Sequence, residues 1–268
     1  MYDIKDYDII YIVINKEGSA MLNKDILSSL LDSPYVKICV YDTVTSTNDI
    51  AKELCKTYDG TILVTAEAQT NGRGRQGKSF FSPKGSGLYF SLVLDTNSPA
   101  FEFTGVTCAV AVAVARAIEK LTNLSVKIKW VNDIYIEDKK VCGILVQAVS
   151  ENSVVKKLII GVGINISTVD FPDDIKNIAT SLNKSVDHNI LTAEIVNNIS
   201  ELILKNPDEY IDEYKERSNV IGKEITYFRN NIAHMAKAIG IDSNGGLIVD
   251  KDGEQITLTS GEISVRFR

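Results

Sequence analysis

Glycine and arginine alternate in Gln69-Thr70-Asn71-Gly72-Arg73-Gly74-Arg75-Gln76-Gly77-Lys78, a stretch with three cations in a chain that is acidic overall. Glycine lets backbone amides turn inward, and arginine brings a planar, permanently charged fork that matches carboxylates and phosphates. Such a loop suits closure over a small anionic molecule. The same residues satisfy G-x-G-x-x-G, but a dinucleotide turn of that kind needs a helix directly after the third glycine. Lys78 to Gly87 contains Pro83, Gly85 and Gly87 and cannot form one. A kinase-type glycine loop is excluded because no H-R-D or D-F-G element follows.

Three further constellations could carry chemistry. Lys127-Ile128-Lys129-Trp130-Val131-Asn132-Asp133 puts an amide and a carboxylate at a strand end, beside the only tryptophan. Taken alone it reads as an ordinary turn start. Lys140-Val141-Cys142-Gly143-Ile144-Leu145 opens an apolar strand with a lysine, which by itself could be a snorkelling edge residue. Gly143 weakens that strand unless something must approach the backbone closely. Gly161-Val162-Gly163-Ile164-Asn165 repeats the pattern, so strands with glycine or a polar group at matching depth predict a cleft. Other chemistry is thin. His188 and His234 are the only histidines, and neither a G-x-S-x-G elbow nor metal-ligand spacing accompanies them, which argues against triad hydrolysis and a resident metal.

The elements that must hold these groups follow from periodicity. Strands are predicted at Val36–Tyr41, Thr61–Ala66, Leu88–Leu94 (ended by Asp95 to Pro99), Val126–Trp130, Ile134–Ile136, Lys140–Ser150 and Lys157–Asn165. The turn Glu137-Asp138-Lys139 makes a hairpin of two of them. Ser46, with Asp49 three residues on, forms a capping-box-like start to a helix whose Ile50, Ala51, Leu54, Cys55 and Tyr58 share one face. Phe103–Leu121 is apolar on most sides and should lie centrally. Helices are also predicted at Asn23–Leu31, Thr192–Lys205 and Asp208–Ser218. Residues 1–34, which include the apolar run Ile9 to Ile14 and a turn at Lys16-Glu17-Gly18, form a short N-terminal extension to a main domain at 35–219. Five short runs with turns at Asn244-Gly245-Gly246 and Asp252-Gly253 make a small β-barrel of residues 220–268. Hairpins mixed with helices give an α+β class.

Composition bounds the partners. With 268 residues, 44% hydrophobic and 24% charged, the chain is an ordinary globular protein. A formal charge of −6 argues against broad attraction to nucleic acid or anionic membranes. Cys39, Cys55, Cys108 and Cys142 lack zinc or redox spacing and read as buried free thiols. Without an export signal or an apolar run long enough to span a bilayer, a cytoplasmic protein is expected.

Taken in order, Ser46-Thr47-Asn48, Gln69 to Gly77, Lys129 to Asp133, Lys140 to Leu145, Gly161 to Asn165 and the closing Gly261-Glu262-Ile263-Ser264-Val265-Arg266 resemble biotin protein ligases, from about Tyr35 to the C-terminus. The resemblance implies a mixed sheet flanked by helices, like the catalytic domain of class II aminoacyl-tRNA synthetases, with a C-terminal SH3-like β-barrel. It implies ATP-dependent formation of biotinyl-5′-adenylate, then transfer of biotin to a lysine of a biotin carboxyl carrier domain. Mg2+ would accompany ATP through phosphates and waters, with no dedicated protein metal ligands. By resemblance, Ser46, Thr47, Asn48, Gln69, Gly72, Arg73, Lys140 and Gly143 bind biotin, with Gly143 keeping one wall open. Arg73, Arg75, Lys78, Asn132, Lys140 and Asn165 bind ATP or the adenylate, and Arg73, Lys140 and Asp133 are catalytic. Arg73, Arg75 and Lys140 are expected to surround one pocket.

Some positions depart from the family pattern. Val131 replaces the proline of K-W-P-N-D, Gln76 stands at an often cationic position, and Phe80 replaces a common tryptophan. Ala179-Thr180-Ser181-Leu182 offers no aromatic for adenine. Three alternatives are separable: a lipoate-type acyl ligase, by which acid forms the adenylate; a non-catalytic biotinyl-adenylate sensor, by loss of the cations or Asp133, all present here; and a biotin-operon repressor, by operator binding. Asn23–Leu31, with one lysine, makes a poor recognition helix, so no specific DNA binding is expected. The resemblance allows a homodimer.

Overall fold

The computed structural model describes residues 22–98, 103–229, 232–259 and 264–267. The larger sheet comprises β1 (Lys37–Val44), β2 (Ile62–Gln69), β3 (Gly87–Ser98), β4 (Lys127–Lys129), β5 (Asp133–Ile136), β6 (Lys139–Glu151) and β7 (Val154–Asn165). Its order is β1-β2-β3-β7-β6-β5-β4. The first pair is parallel, joined by the crossover helix α2 (Thr47–Leu54), and the other pairs are antiparallel. The predicted hairpin turns at Glu137, and β6 returns into β7 through Asn152 and Ser153, whose φ values of 49° and 64° suit a tight two-residue turn.

Strand alternation divides the apolar residues between two layers. Leu88, Phe90, Leu92, Ile160, Val162 and Ile164 belong to the main core with α3 (Phe103–Thr122). As its composition predicts, α3 is central: Cys108 to Ala115 are essentially inaccessible. Against it pack α4 (His188–Ile203) and α5 (Asp208–Arg217), and α1 (Lys24–Leu30) packs on α4 and β1. The Asn23 side chain caps α1, and Leu22, Leu27 and Leu31 join the main core. On the opposite face, Ile62, Val64, Val93 and Ile159 meet Ala51, Ile50, Leu54, Cys55 and Tyr58, the helical face expected of α2.

Beyond residue 219, β8 (Glu224–Arg229), β9 (Ile232–Ile241), β10 (Leu247–Lys251), β11 (Glu254–Leu258) and β12 (Ser264–Phe267) form an antiparallel sheet in the order β11-β10-β9-β8-β12. This separate sheet accords with the expected SH3-like unit, and positive φ at Asp252 and Gly253 makes one of its predicted turns.

Three expectations change. The run from Asp95 to Ser98 continues β3 instead of ending it, because Asp95 and Ser98 still pair with Lys157 and Val155 across a register shift. Helix α4 starts at His188, where Asp187 accepts from the amides of Asn189 and Ile190. Ser46 occupies the N-cap of α2 without its side chain bonding the helix, and Asp49 turns instead to Arg73. The runs Ile9–Ile14, Lys16–Gly18 and Gly261–Ile263, and the side chain of Arg266, lie outside the described residues.

Lys157, on β7, fastens the end of α2 to the sheet. Its Nζ donates to Tyr58 O at 2.8 Å and lies 3.2 Å from Asp59 and 3.1 Å from Asp95. Burial disfavours this ammonium, but hydrogen bonds to Asp95 and Asp59 outweigh that and raise its pKa above the ordinary 10.5. A raised lysine pKa stabilises the fold fully below the unfolded-state value, and the gain disappears as pH rises through the folded-state value. Lys157→Met should therefore cost about 1–2 kcal/mol near neutral pH. Urea unfolding of both proteins from neutral pH to well above the ordinary lysine value should show that difference shrinking; a difference independent of pH would contradict the assignment.

Candidate active site

The glycine-arginine loop leaves β2 at Gln69 and is held by its own backbone. Gly74 N donates to Lys78 O at 2.7 Å and Phe80 N to Gly72 O at 2.8 Å, with a one-turn 3-10 helix at Arg75–Gly77 between them. Gly72 has no room for a side chain: a Cβ there would stand 2.4 Å from Phe80 O. The loop faces the edge of β6 beyond the point where β5 stops pairing, since Gly143 is the last β6 residue opposite β5. Between them lies a cleft of about 800 Å³, lined by residues 71–79 and 144–147, Thr104 and Thr107 of α3, Val131, Asn132, and Thr259 of the C-terminal unit. That volume falls within the usual range for small-molecule sites.

Gly72, Arg73, Arg75, Lys78 and Asn132 thus share one cleft, as expected. Arg75 is the inner cation. Its Nη1 donates to Asn132 Oδ1 at 3.2 Å, and burial lowers its pKa while the nearby Asp133 charge opposes that fall. An arginine remains charged under such a shift. Arg73 is the outer one, half-exposed and paired with Asp49 at 2.9 Å. Asn132 Nδ2 donates to Ile144 O at 2.7 Å, and Ile144 N donates to Asn132 O at 2.9 Å, so this residue carries the ladder where β5 ends.

Lys140 does not line the cleft. Its Nζ lies 2.7 Å from Asp133 Oδ1 and 5.9 Å from the centre of the Phe80 ring. The register explains what Phe80 does. Gly143 pairs with Gly163, and Gly163 with Tyr89, so two glycines sit side by side in the sheet. Phe80 fills the hollow: a Cβ at Gly163 would be 2.6 Å from its ring, and one at Gly143 would be 3.0 Å from Lys140 Nζ. Gly143 therefore does not leave an open wall, because a ring and a lysine stem close-pack over it. The expected ring of three cations is two cations in the cleft and a third beyond Phe80, with Asp133 beside Lys140 and influencing Arg75.

The remaining expected residues form a second group behind the loop. Thr47 N donates to Gln69 Oε1 at 2.9 Å, Gln69 Nε2 to Ser82 Oγ at 2.8 Å, and Ser82 Oγ to Phe80 O at 2.9 Å. Ser91 Oγ lies 2.8 Å from Thr47 Oγ1 and 2.5 Å from Asn48 Oδ1, and Asn48 Nδ2 donates to Gln147 Oε1 at 2.8 Å. Asn48 occupies the space above Gly161, where a Cβ would come within 2.2 Å of its Oδ1. Ser46 is buried beside this network. Asn165 stands apart, bonded to Thr180 O at 3.1 Å, and the 178–180 segment pairs with Lys140 through backbone bonds. Sequence reasoning missed Ser82, Ser91 and Gln147. Ser91 was detectable as a hydroxyl at an inward position of the apolar run Leu88–Leu94; Gln147 had no local signal. Among the described residues no group of three or more His, Cys, Asp and Glu could hold a metal ion, and no helix is long and apolar enough to cross a membrane.

Comparison with known proteins matches both units. Residues 40–165 match the biotin/lipoate A/B protein ligase family, and residues 220–266 match the biotin protein ligase C-terminal domain. The chain is 34% identical over 222 residues to the bifunctional ligase/repressor BirA of Bacillus subtilis (strain 168), covering 78% of this chain and 68% of that one. Among solved structures, the biotin protein ligase of Aquifex aeolicus in complex with biotin and ATP superposes with a TM-score of 0.77 at 28% identity, over 87% of this chain and 99% of that one. The Leishmania major biotin protein ligase in complex with biotinyl-5-AMP gives 0.60 at 25%, over 84% and 99%. Two units that match separately, and a relative 34% identical of which the chain covers 68%, settle the membership: the chain belongs to the biotin protein ligase family.

Proposed function

We propose that the chain activates biotin with ATP and transfers it to a lysine of a biotin carboxyl carrier domain. In the first step a biotin carboxylate oxygen bonds to the α-phosphorus and pyrophosphate leaves. In the second, the lysine amine bonds to the acyl carbon, loses a proton, and AMP leaves. Both the attacking carboxylate and the triphosphate are anions, so the first step needs fixed positive charge. The observation that carries this reading is the Arg73–Arg75–Lys78 loop facing a cleft of substrate size. Arg75, positioned by Asn132, suits the phosphates. The exposed Arg73–Asp49 pair is worth at most about 1 kcal/mol and can open toward a ligand at little cost. Magnesium would enter as part of the nucleotide, since the carboxylates of Asp133 and Asp49 already face Lys140 and Arg73.

The Thr47–Asn48–Gln69 group suits the polar ureido end of biotin. Asn48 and Gln69 each use one amide N–H within the network and have a second to offer. Ser91 fixes which way Asn48 points, because its hydroxyl faces the acceptor-only Oδ1. Asp133 is assigned to the transfer step. Its carboxylate, held beside Lys140, accepts the acceptor amine's proton.

Incubation with biotin, ATP, magnesium and a carrier domain should add the mass of one biotin less water to the carrier. No addition from biotin, with addition from lipoate, would replace this reading by the lipoate one. Ser91→Ala should weaken biotin binding about tenfold, the effect of misorienting one buried hydrogen-bonding group, with ATP binding unchanged by calorimetry. Asp133→Asn should slow transfer from preformed adenylate by about 10²-fold or more; an unchanged rate across pH would remove Asp133 from that step.

A further inference from the structure

The C-terminal sheet packs behind the wall of the cleft at a point to which the reading above gives no part. Between β9 and β10, residues 242–246 form a tight turn that inserts between α3 and Trp130. Asp242 organises it: its Oδ1 accepts from Asn244 N at 2.9 Å and Gly246 N at 2.8 Å, and its backbone N donates to Gly246 O. At the apex, Gly245 has φ +85° and is buried. A Cβ there would stand 2.7 Å from Cys108 Sγ and 3.2 Å from Thr104, so only glycine fits against α3. The Gly245 carbonyl accepts from Trp130 Nε1 at 2.9 Å.

Trp130 is buried, and the chain after it is clamped step by step. Val131 O accepts from Tyr214 Oη at 3.1 Å, and Asn132 holds both Ile144 of β6 and Arg75 of the loop. From the same two neighbours of the turn, Thr104 and Thr107 on α3 and Val131 after Trp130 line the cleft. We infer that Gly245 and Trp130 are positioning residues through which the C-terminal sheet sets Asn132, and so Arg75, at the nucleotide end of the cleft. The hydrogen bond joins the two units across 115 residues of sequence. It lies on the Arg75 side and makes no bond to the Thr47–Asn48–Ser91 group, which lies further along β6 at Gln147, so its loss should act on nucleotide and not on biotin.

The inference rests on the ligase reading for the identity of ATP as the ligand. Trp130 is the only tryptophan, so its emission reports the contact directly. Gly245→Ala and Asp242→Ala should shift that emission to longer wavelength. Trp130→Phe keeps an aromatic ring and deletes the donor, which separates loss of the bond from misfolding. In all three, ATP dissociation constants measured by calorimetry should rise about five- to tenfold, the effect of one buried hydrogen bond acting through its neighbours, while biotin affinity stays unchanged. Equal weakening of both ligands, or unchanged ATP affinity in Trp130→Phe, would overturn the inference and leave the ligase reading intact. Failure of ATP to bind the unaltered protein would sink both.

Discussion

Asn132 uses its backbone carbonyl and its side-chain amide in both directions at the place where β5 gives out. Its carbonyl and Nδ2 complete the ladder with Ile144, while Oδ1 receives the Arg75 guanidinium. For an arginine drawn partly out of water such an acceptor matters, because desolvation penalises a charge that nothing fixes in place. The cleft depends on this residue more than on any single cation. It lets the sheet end, leaves the β6 edge open as a wall, and aims a charged group across the gap. An aspartate at 132 would add a second charge next to Asp133 and lose the donor to Ile144.

Two polarities are kept apart on the same sheet. The cationic loop faces the β6 edge, whereas the neutral hydrogen-bonding group around Thr47, Asn48, Gln69 and Ser91 lies under it, above β3 and β7. Phe80 belongs to both, since its backbone closes the loop and its ring rests on Gly163. One segment therefore links the part of the site suited to an anion with the part suited to a neutral polar head. A reaction that joins a carboxylate to a phosphate needs both, close together and in fixed order.

Much of this was legible in the sequence. The apolar face of α2, the central place of α3 and the hairpin at Glu137 follow from periodicity and turn chemistry, and the glycine-arginine loop announces its own charge. The resemblance supplied the rest of the site as a set. What could not be read was register. Nothing in the sequence says that Gly143 stands opposite Gly163, so the filling of that hollow by Phe80, and the exclusion of Lys140 from the cleft, were invisible. Ser46 and Asp49 looked like a capping box because local spacing cannot know that Arg73 arrives from another strand's end. Long-range partners of this kind, including Gln147 for Asn48 and Gly245 for Trp130, come from topology and leave no mark in a window of residues.

The contact between Gly161 and Asn48 has a consequence for how freely this chain can drift. A strand interior is ordinarily forgiving of a glycine-to-alanine exchange, which by itself favours the extended backbone. Here the added methyl would occupy the volume of the Asn48 carboxamide. Substitution at a position remote in sequence from the loop would evict the Asn48 carboxamide from its bonds to Ser91 and Gln147. What keeps that position bare is therefore a polar group packed above the sheet, and not the conformation of the strand itself.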